Sequence, residues 1–436
     1  MKKIIALLLA MLMVFALVAC GQTEVEEVET TEEVVEETTE ETAEPKPYEG
    51  INLIYWSSAV EGTEGYELAC KHIDAWEELT GATVEYSAWG QELSSMAVTA
   101  LDAGEKIDIV NMVSIIQLSK NMDHLLQLDD LLAQTDLEER GYEMAWDQIR
   151  NWTVGAEGRA FAVPASPSFS AWWYDKALFE KAGIEAAPTT IEEFEEVCDK
   201  LLAIGVNPIA QDAAYVHSMV GTLLQNYASE EVVRELIANG GWTENEDAIA
   251  CFDKLIEWVN KGYFDPSAPG QWPASQNKIG LTGENAMVYC GSWVSGEIEE
   301  MTGADIDWGC FLMPNNPDGK GVYGTALSNG GIAITKDCEH PEVALDLINY
   351  LKSGEVGQAT ADEGPSIPYE KTGIVPEKLG NAMEVMNSME AAIDYTGGLH
   401  SNPDIKTSVT ELLVNILSGV YANGMEACEA FDALCK

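Results

Sequence analysis

The sequence predicts an α/β protein of two lobes, each a mainly parallel sheet flanked by helices. Three observations predict it. Between residues 51 and 112, strand patterns alternate with helical ones, which is how a parallel sheet with crossover helices reads. The alternation resumes at Ala171 and runs on past Pro341. The chain has 436 residues, too many for one hydrophobic core.

The first strand is Ile51 to Ser58, an alternating β-rich run that ends in small polar residues. A helix follows over 65–79 and stops at Thr80-Gly81. Ala82 to Ser87 is a second strand, Leu93 to Ala103 a helix closed by Gly104, and Ile107 to Met112 a third strand. Farther on, Ala171 to Tyr174 reads as a strand and Asp175 to Ala182 as a helix stopped by Gly183. Thr190 caps a helix over 191–203, with Glu193 three residues on completing a capping box. A short strand over 205–210, a helix over 246–261, a strand at Ala286 to Tyr289 and a helix from Pro341 to Lys352 complete the pattern.

Charge narrows the function classes. Lys and Arg number 23 and Asp and Glu 74, a net charge of −51. Such a chain repels phosphate backbones, so no nucleic-acid partner is expected. Twelve of the glutamates, against a single lysine, fall in residues 21–49, an extended solvated spacer. Before it, Lys2 and Lys3 precede an apolar run from Ile4 to Val18 that is too short to span a bilayer. The run ends in Leu17-Val18-Ala19-Cys20-Gly21, which resembles the bacterial lipobox. That resemblance implies cleavage after residue 19 and a lipid on Cys20, with 20–49 as a tether and the protein on the outer face of the cell membrane. Eight further cysteines show no CxxC spacing, so neither a zinc ribbon nor a thioredoxin-like site is indicated.

Several segments together resemble the family 1 extracellular solute-binding proteins of carbohydrate ABC importers, the maltose-binding-protein-like group. Ala103-Gly104-Glu105-Lys106-Ile107-Asp108-Ile109-Val110 is similar to the family's Gly-x-x-Pro-Asp stretch, with Ile107 in place of proline. Trp173-Tyr174-Asp175-Lys176 through Leu178-Phe179 to Ala182-Gly183 resembles its Tyr-Asn-Lys-x-Leu-Phe motif, with Asp175 for asparagine. Pro188-Thr189-Thr190 leading to Glu193-Phe194 resembles its Pro-x-Thr-Trp start, with Ile191 for tryptophan. Gly283 to Met287 and Gly291-Ser292-Trp293 resemble its Gly-x-x-Ala-Met and Gly-x-Trp pair. The resemblance implies a type II periplasmic-binding-protein-like fold whose lobes close on a ligand by hinge motion. It places the first lobe at 50–168 with 328–366 and the second at 169–327 with 367–436. Crossovers are expected near 166–171, 325–329 and 363–368.

Sugars present C–H faces and hydroxyl edges, so their sites combine aromatic plates with polar hydrogen-bonding groups. The chain has twelve tryptophans. In open α/β sheets ligands gather at the carboxyl ends of strands. That rule selects Trp56 and Ser57 after the first strand, Trp89 after the second, Asp108 to Asn111 on the third, and Asp212 and His217 after the strand containing Pro208. Trp172 and Trp173 alternate across one strand; Trp172 is expected in the cleft and Trp173 in the core. The family resemblance adds Trp293 as a sugar-stacking plate, Asp108 as a hydroxyl-binding carboxylate, and Asn329 and Glu363 at crossovers. It also implies an ABC permease as partner. No enzyme activity, cofactor or metal is expected, and a monomer is.

Other patterns carry less. Gly319 to Gly324 matches G-x-G-x-x-G, but no helix opens after it, so it reads as a connection. The five histidines are scattered and form no H-E-x-x-H pair. A secreted glycoside hydrolase, with two carboxylates flanking a glycosidic bond, is the rival from another class. The same fold binding a polyamine, a peptide or another small solute is the nearer alternative.

Overall fold

The computed structural model describes residues 45–435, apart from 318, 320–323, 329, 365, 390 and 403. The signal, Cys20, most of the acidic spacer, Asn329 and part of the Gly319–Gly324 stretch therefore lie outside the described residues. The body begins earlier than residue 50. The Tyr48 N–H donates to the Thr80 carbonyl at 2.9 Å, and the Tyr48 ring lies 6.2 Å from that of Trp76.

The opening alternation is observed as read: β1 (Asn52–Ser57), α1 (Glu64–Thr80), β2 (Thr83–Ala88), α2 (Leu93–Ala103) and β3 (Ile109–Met112). The Thr63 hydroxyl caps α1 by accepting the Tyr66 N–H at 3.3 Å, and Gly81, at φ 81°, ends it. The chain then runs through β4 (Val163–Pro164), β5 (Ser168–Asp175) and α3 (Ile191–Ala203). At α3 the capping box is present: Thr190 accepts from Glu193 N–H at 3.3 Å, and the Glu193 carboxylate accepts the Thr189 and Thr190 N–H groups. There follow β6 (Asn207–Ala210), α4 (Val216–Gln225), α5 (Glu246–Asn260), β7 (Asn285–Gly291), α6 (Val294–Thr302) and β8 (Trp308–Phe311). The last part holds β9 (Gly324–Ser328), β10 (Gly331–Ile334), α7 (Pro341–Lys352), α8 (Gly354–Glu363), β11 (Ala391–Ile393), α9 (Lys406–Leu417) and α10 (Gly424–Leu434).

The strands form two sheets. The first has the order β2-β1-β3-β10-β4, and the second the order β11-β9-β5-β7-β6 with β8 also on β5. Neither is mainly parallel. β1 runs parallel to β2 and β3, but β10 is antiparallel to β3 and β4. In the second sheet β5 is antiparallel to β7, β8 and β9. The reason is connectivity. A strand that arrives from the other sheet enters at the end where the resident strands finish, so it runs against them.

Three passages join the sheets. The first leads from Pro164 to Ser168 and the second from Ser328 to Gly331. They lie side by side, the Ala165 N–H donating to the Gly330 carbonyl at 3.0 Å. The third is spread along the chain from about residue 367, where Ile367 is buried with Trp173 and Trp308 of the second body. Tyr369 and Lys371 still bond to Leu137 and Arg140 of the first body, at 2.8 and 3.0 Å. Asn381 belongs to the second, its side chain pairing with the Cys310 N–H and carbonyl at 2.9 and 3.0 Å.

The first sheet's core gathers Leu53, Tyr55, Trp76, Ile109, Val110 and Ile348. The second sheet is covered on both faces. Trp172 packs with Phe194, Tyr289 and Phe311 on one face, and Trp173 with Phe169 and Trp308 on the other. The eight described cysteines are all free, and six of them are buried. Burial pushes the thiols of Cys310, Cys338 and Cys428 up to about 12. Among the described residues no helix is long and apolar enough to cross a membrane, and no cluster of His, Cys, Asp or Glu is arranged to hold a metal ion.

Candidate functional site

Strand register places two sets of side chains beside the passages. In the first sheet, Gly331 at the start of β10 pairs with both Pro164 and Met112, so β3 ends where the chain crosses. β1 runs with β3 and ends there too. In the second sheet, Ser170 near the start of β5 pairs with Gly291 at the end of β7. The carboxyl ends of β1, β2, β3 and β7 thus all face the crossing region.

On the first sheet this region holds Trp56, Ser57 and Trp89. The Trp56 and Trp89 rings lie 4.8 Å apart, tilted by 46°. Trp56 is mostly buried, and Trp89 is half-buried. The Ser57 hydroxyl accepts the Tyr86 O–H at 2.9 Å and the Ala59 N–H at 3.1 Å. The Asn111 amide donates to the Ser58 hydroxyl at 3.0 Å, so β3 adds a polar group to this edge. The Trp89 indole N–H is buried without a hydrogen-bond partner. Such a donor is costly to leave unmet.

On the second sheet the site grows from the turn after β7. Trp293 is half-buried, and its ring folds back over Gly291: a Cβ there would lie 2.0 Å from Trp293 Cζ3. That contact is the physical reason for glycine in Gly291-Ser292-Trp293. The Trp293 ring centroid stands 6.4 Å from Tyr215 and 6.2 Å from Tyr395. Tyr215 donates its O–H to Glu297 at 3.3 Å. Glu297, on the first turns of α6, also accepts the Trp272 indole N–H at 3.0 Å and the Gln276 amide.

His217, at the start of α4, packs its ring 5.5 Å from Tyr395 and 4.7 Å from His400. Burial, with the neighbouring His400 second, pushes His217 down to about 3. Burial, with Lys406 second, pushes His400 down to about 4. Both imidazoles are neutral near pH 7. The unfolded chain binds their protons near pH 6.5, so their contribution to stability is full above that value. It is lost as the pH falls toward the folded values. Each histidine should cost up to about 2 kcal/mol of stability between pH 7 and pH 5. Urea unfolding at the two pH values checks this, and the double variant His217→Gln, His400→Gln should flatten that difference.

Four expectations are corrected or relocated. Trp172 is fully buried, because β5 is central in a sheet covered on both faces, and so it is core like Trp173. Asp108 precedes β3, at the opposite end from the crossing region. It is buried, and its carboxylate accepts the Ile54 N–H at 2.8 Å, which latches β1 to β3. Asp212 is fully buried, its two oxygens accepting the Ser275 and Gln276 N–H groups at 2.9 and 3.0 Å. It holds the loop that carries Trp272. Burial keeps its carboxyl above the ordinary range, the two backbone bonds opposing. Glu363 is exposed at the end of α8, and the neighbouring Glu64 carboxyl in the first turn of α1 raises its pKa.

Sequence reasoning missed Tyr215, Trp272, Glu297, Tyr395 and His400. Tyr215 follows β6 by the same strand-end rule that selected Asp212. Tyr395 follows β11, a three-residue strand with no readable period. An open groove of about 500 Å³ along α9, lined by His400, Lys406, Thr410 and Glu411, shares only His400 with this cluster.

Comparison with known proteins gives this geometry a family. A probable sugar-binding periplasmic protein of Mesorhizobium japonicum is 25% identical over 232 residues, covering 50% of this chain and 54% of that one. The sn-glycerol-3-phosphate-binding periplasmic protein of Salmonella typhimurium is 25% identical over 293 residues, covering 62% and 65%. The chain thus spans between about half and two thirds of the length of these relatives. Among solved structures, a chitin oligosaccharide binding protein superposes with a TM-score of 0.72 at 22% identity, covering 88% of this chain and 98% of that one. A maltose-bound MalE3 of T. maritima gives 0.68 at 16%, covering 88% and 98%. At these identities the likeness is one of fold, that of two-lobe binding proteins. Residues 60–358 match the model of the bacterial extracellular solute-binding proteins, and the chain belongs to that family.

Proposed function

We propose that the chain is the substrate-binding component of an ABC importer and captures an uncharged sugar or oligosaccharide. The ligand lies between the aromatic pair of the first sheet and the aromatic cluster of the second, and the lobes close on it by hinge motion at the three passages. The loaded receptor, a monomer lipid-anchored through Cys20 to the outer face of the cell membrane, delivers it to the permease. Catalysis has no part in this reading.

One observation carries it. The Trp293 ring is held over Gly291 at the carboxyl end of β7, with Tyr215 and Tyr395 beside it. Aromatic faces held this way suit the C–H faces of sugar rings. Trp56 and Trp89, with Ser57 and Asn111 as polar neighbours, supply the opposing wall. The sugar-binding relative and the oligosaccharide-binding neighbours support the same class of ligand.

Isothermal titration of the 46–436 body against mono- and oligosaccharides tests the reading, and the absence of heat with every glycan would overturn it. Mass spectrometry of the membrane-extracted protein tests the lipid on Cys20.

Charge sharpens the expected selectivity. Trp293, Tyr215, Tyr395, Trp272 and Glu297 offer no cationic side chain, and both histidines are held neutral. A phosphate dianion would be desolvated beside the Glu297 carboxylate, with Lys406, next to His400, as the cation of this cluster. Glycerol 3-phosphate, the ligand named for the Salmonella relative, should bind at least about 100-fold more weakly than the best glycan, a difference of about 2.7 kcal/mol. Competition calorimetry checks this. The same carboxylate favours one second reading, a polyamine, for which spermidine is the probe.

A further inference from the structure

Trp272 stands apart from the rest of the surface. Among the exposed large hydrophobic side chains of the described residues it is the only aromatic one, at 39% exposure. A single exposed apolar side chain is ordinary in itself; what sets this one apart is how it is held. It is also not loose: its N–H donates to Glu297 at 3.0 Å. The loop beneath it is pinned by Asp212, whose two oxygens hold the Ser275 and Gln276 N–H groups.

The position of this side chain carries the inference. Glu297 is shared. One oxygen accepts from Trp272 and Gln276, and the other accepts from the Tyr215 O–H at 3.3 Å. The Tyr215 ring in turn faces Trp293, with centroids 6.4 Å apart. Trp272 and Trp293 therefore flank one carboxylate–tyrosine unit, the first exposed and the second half-buried. The two indoles are thus joined through two side chains, Glu297 and Tyr215.

We infer that Trp272 and Glu297 form a second carbohydrate subsite beside Trp293, so that the ligand is an oligosaccharide of at least two rings. The inner ring lies against Trp293. The next ring stacks on the free face of Trp272, which Glu297 holds in place as a positioning residue. The inference rests on the carbohydrate reading above and deepens it.

The test compares chain lengths on one set of proteins. The full chain is titrated with glucose, maltose and maltotriose, with xylose, xylobiose and xylotriose, and with N-acetylglucosamine and its β-1,4-linked dimer and trimer. In the series that binds, the unaltered protein should favour dimer or trimer over monomer by about tenfold or more. Trp272→Ala should abolish most of that preference, weakening dimer and trimer by about tenfold more than monomer. Trp272→Phe, which keeps a ring but loses the bond to Glu297, should restore part of it. Because Trp272 is exposed, neither variant endangers the fold.

Equal weakening of monomer and oligomer by Trp272→Ala would place Trp272 in lobe closure and overturn the subsite. An unchanged preference would overturn it as well. Failure of every glycan to bind the unaltered protein is a different result: it defeats the carbohydrate reading itself, and the subsite with it.

Discussion

Replacing Trp293 with alanine is expected to weaken glycan binding by roughly 30- to 1,000-fold, a loss of about 2–4 kcal/mol typical of a central aromatic contact. The fold should survive. Trp293 is half-buried and precedes α6 without capping it through its side chain. Its ring meets Gly291, Tyr215 and Tyr395 of the candidate site and packs only on the margin of the second sheet's core. Calorimetry would read the affinity, and circular dichroism with urea unfolding would confirm the native state. An unchanged affinity for a glycan that binds the unaltered protein would remove Trp293 from the site. Trp293→Phe supplies the control, since it keeps a stacking face and should retain a measurable part of the affinity.

Gly330→Ala should damage the protein by a different route. A Cβ at Gly330 would lie 1.9 Å from the Met112 carbonyl oxygen and 2.5 Å from the Val113 carbonyl carbon. Both are backbone atoms at the end of β3, so no side-chain rotation relieves the clash. The chain must shift where two of the three passages touch, at the Ala165 to Gly330 hydrogen bond. Overpacking of this kind costs about 1–3 kcal/mol and sometimes more. The urea midpoint should fall accordingly. Ligand affinity should fall too, because the passages that must bend on closure start from an altered geometry. A midpoint equal to that of the unaltered protein would show that the crossing tolerates displacement.

Local signals were the most legible in the sequence. The Thr190–Glu193 capping box appears as read because its two hydrogen bonds depend on residues three apart. The alternation from β1 to β3 was readable for the same reason: each strand is short, and each helix ends at a glycine in the left-handed region. What depended on distant partners was not legible. Periodicity correctly separates Trp172 and Trp173 onto opposite faces of β5, but it does not say that both faces are covered. The antiparallel pairing of β5 follows from passages between sheets, which no local window contains.

The candidate site divides in the same way. Trp56, Ser57 and Trp89 followed from a rule about strand ends, and they stand where that rule put them. The same rule also selects Asp108 and Asp212, and there it fails: Asp108 precedes β3 and latches two strands, and Asp212 is buried under the loop that carries Trp272. Tyr395 and Trp272 sit on irregular loops whose path is set by Asp212, Gln276 and the packing of α4, far away in sequence. Their indole and phenol groups were visible as letters, but their convergence on Glu297 and Trp293 was not.

The unpaired thiols have a consequence for biogenesis. A polypeptide that crosses a membrane before it folds meets whatever oxidant the outside offers. In this chain the cores close by apolar packing, with Cys198, Cys251, Cys290 and Cys428 serving as small hydrophobic side chains. The same burial that supplies this packing keeps those sulfurs protonated and out of reach of oxidants. Packing of the body therefore asks for no bridge among these four sulfurs, while Cys70 and Cys435 are half-exposed.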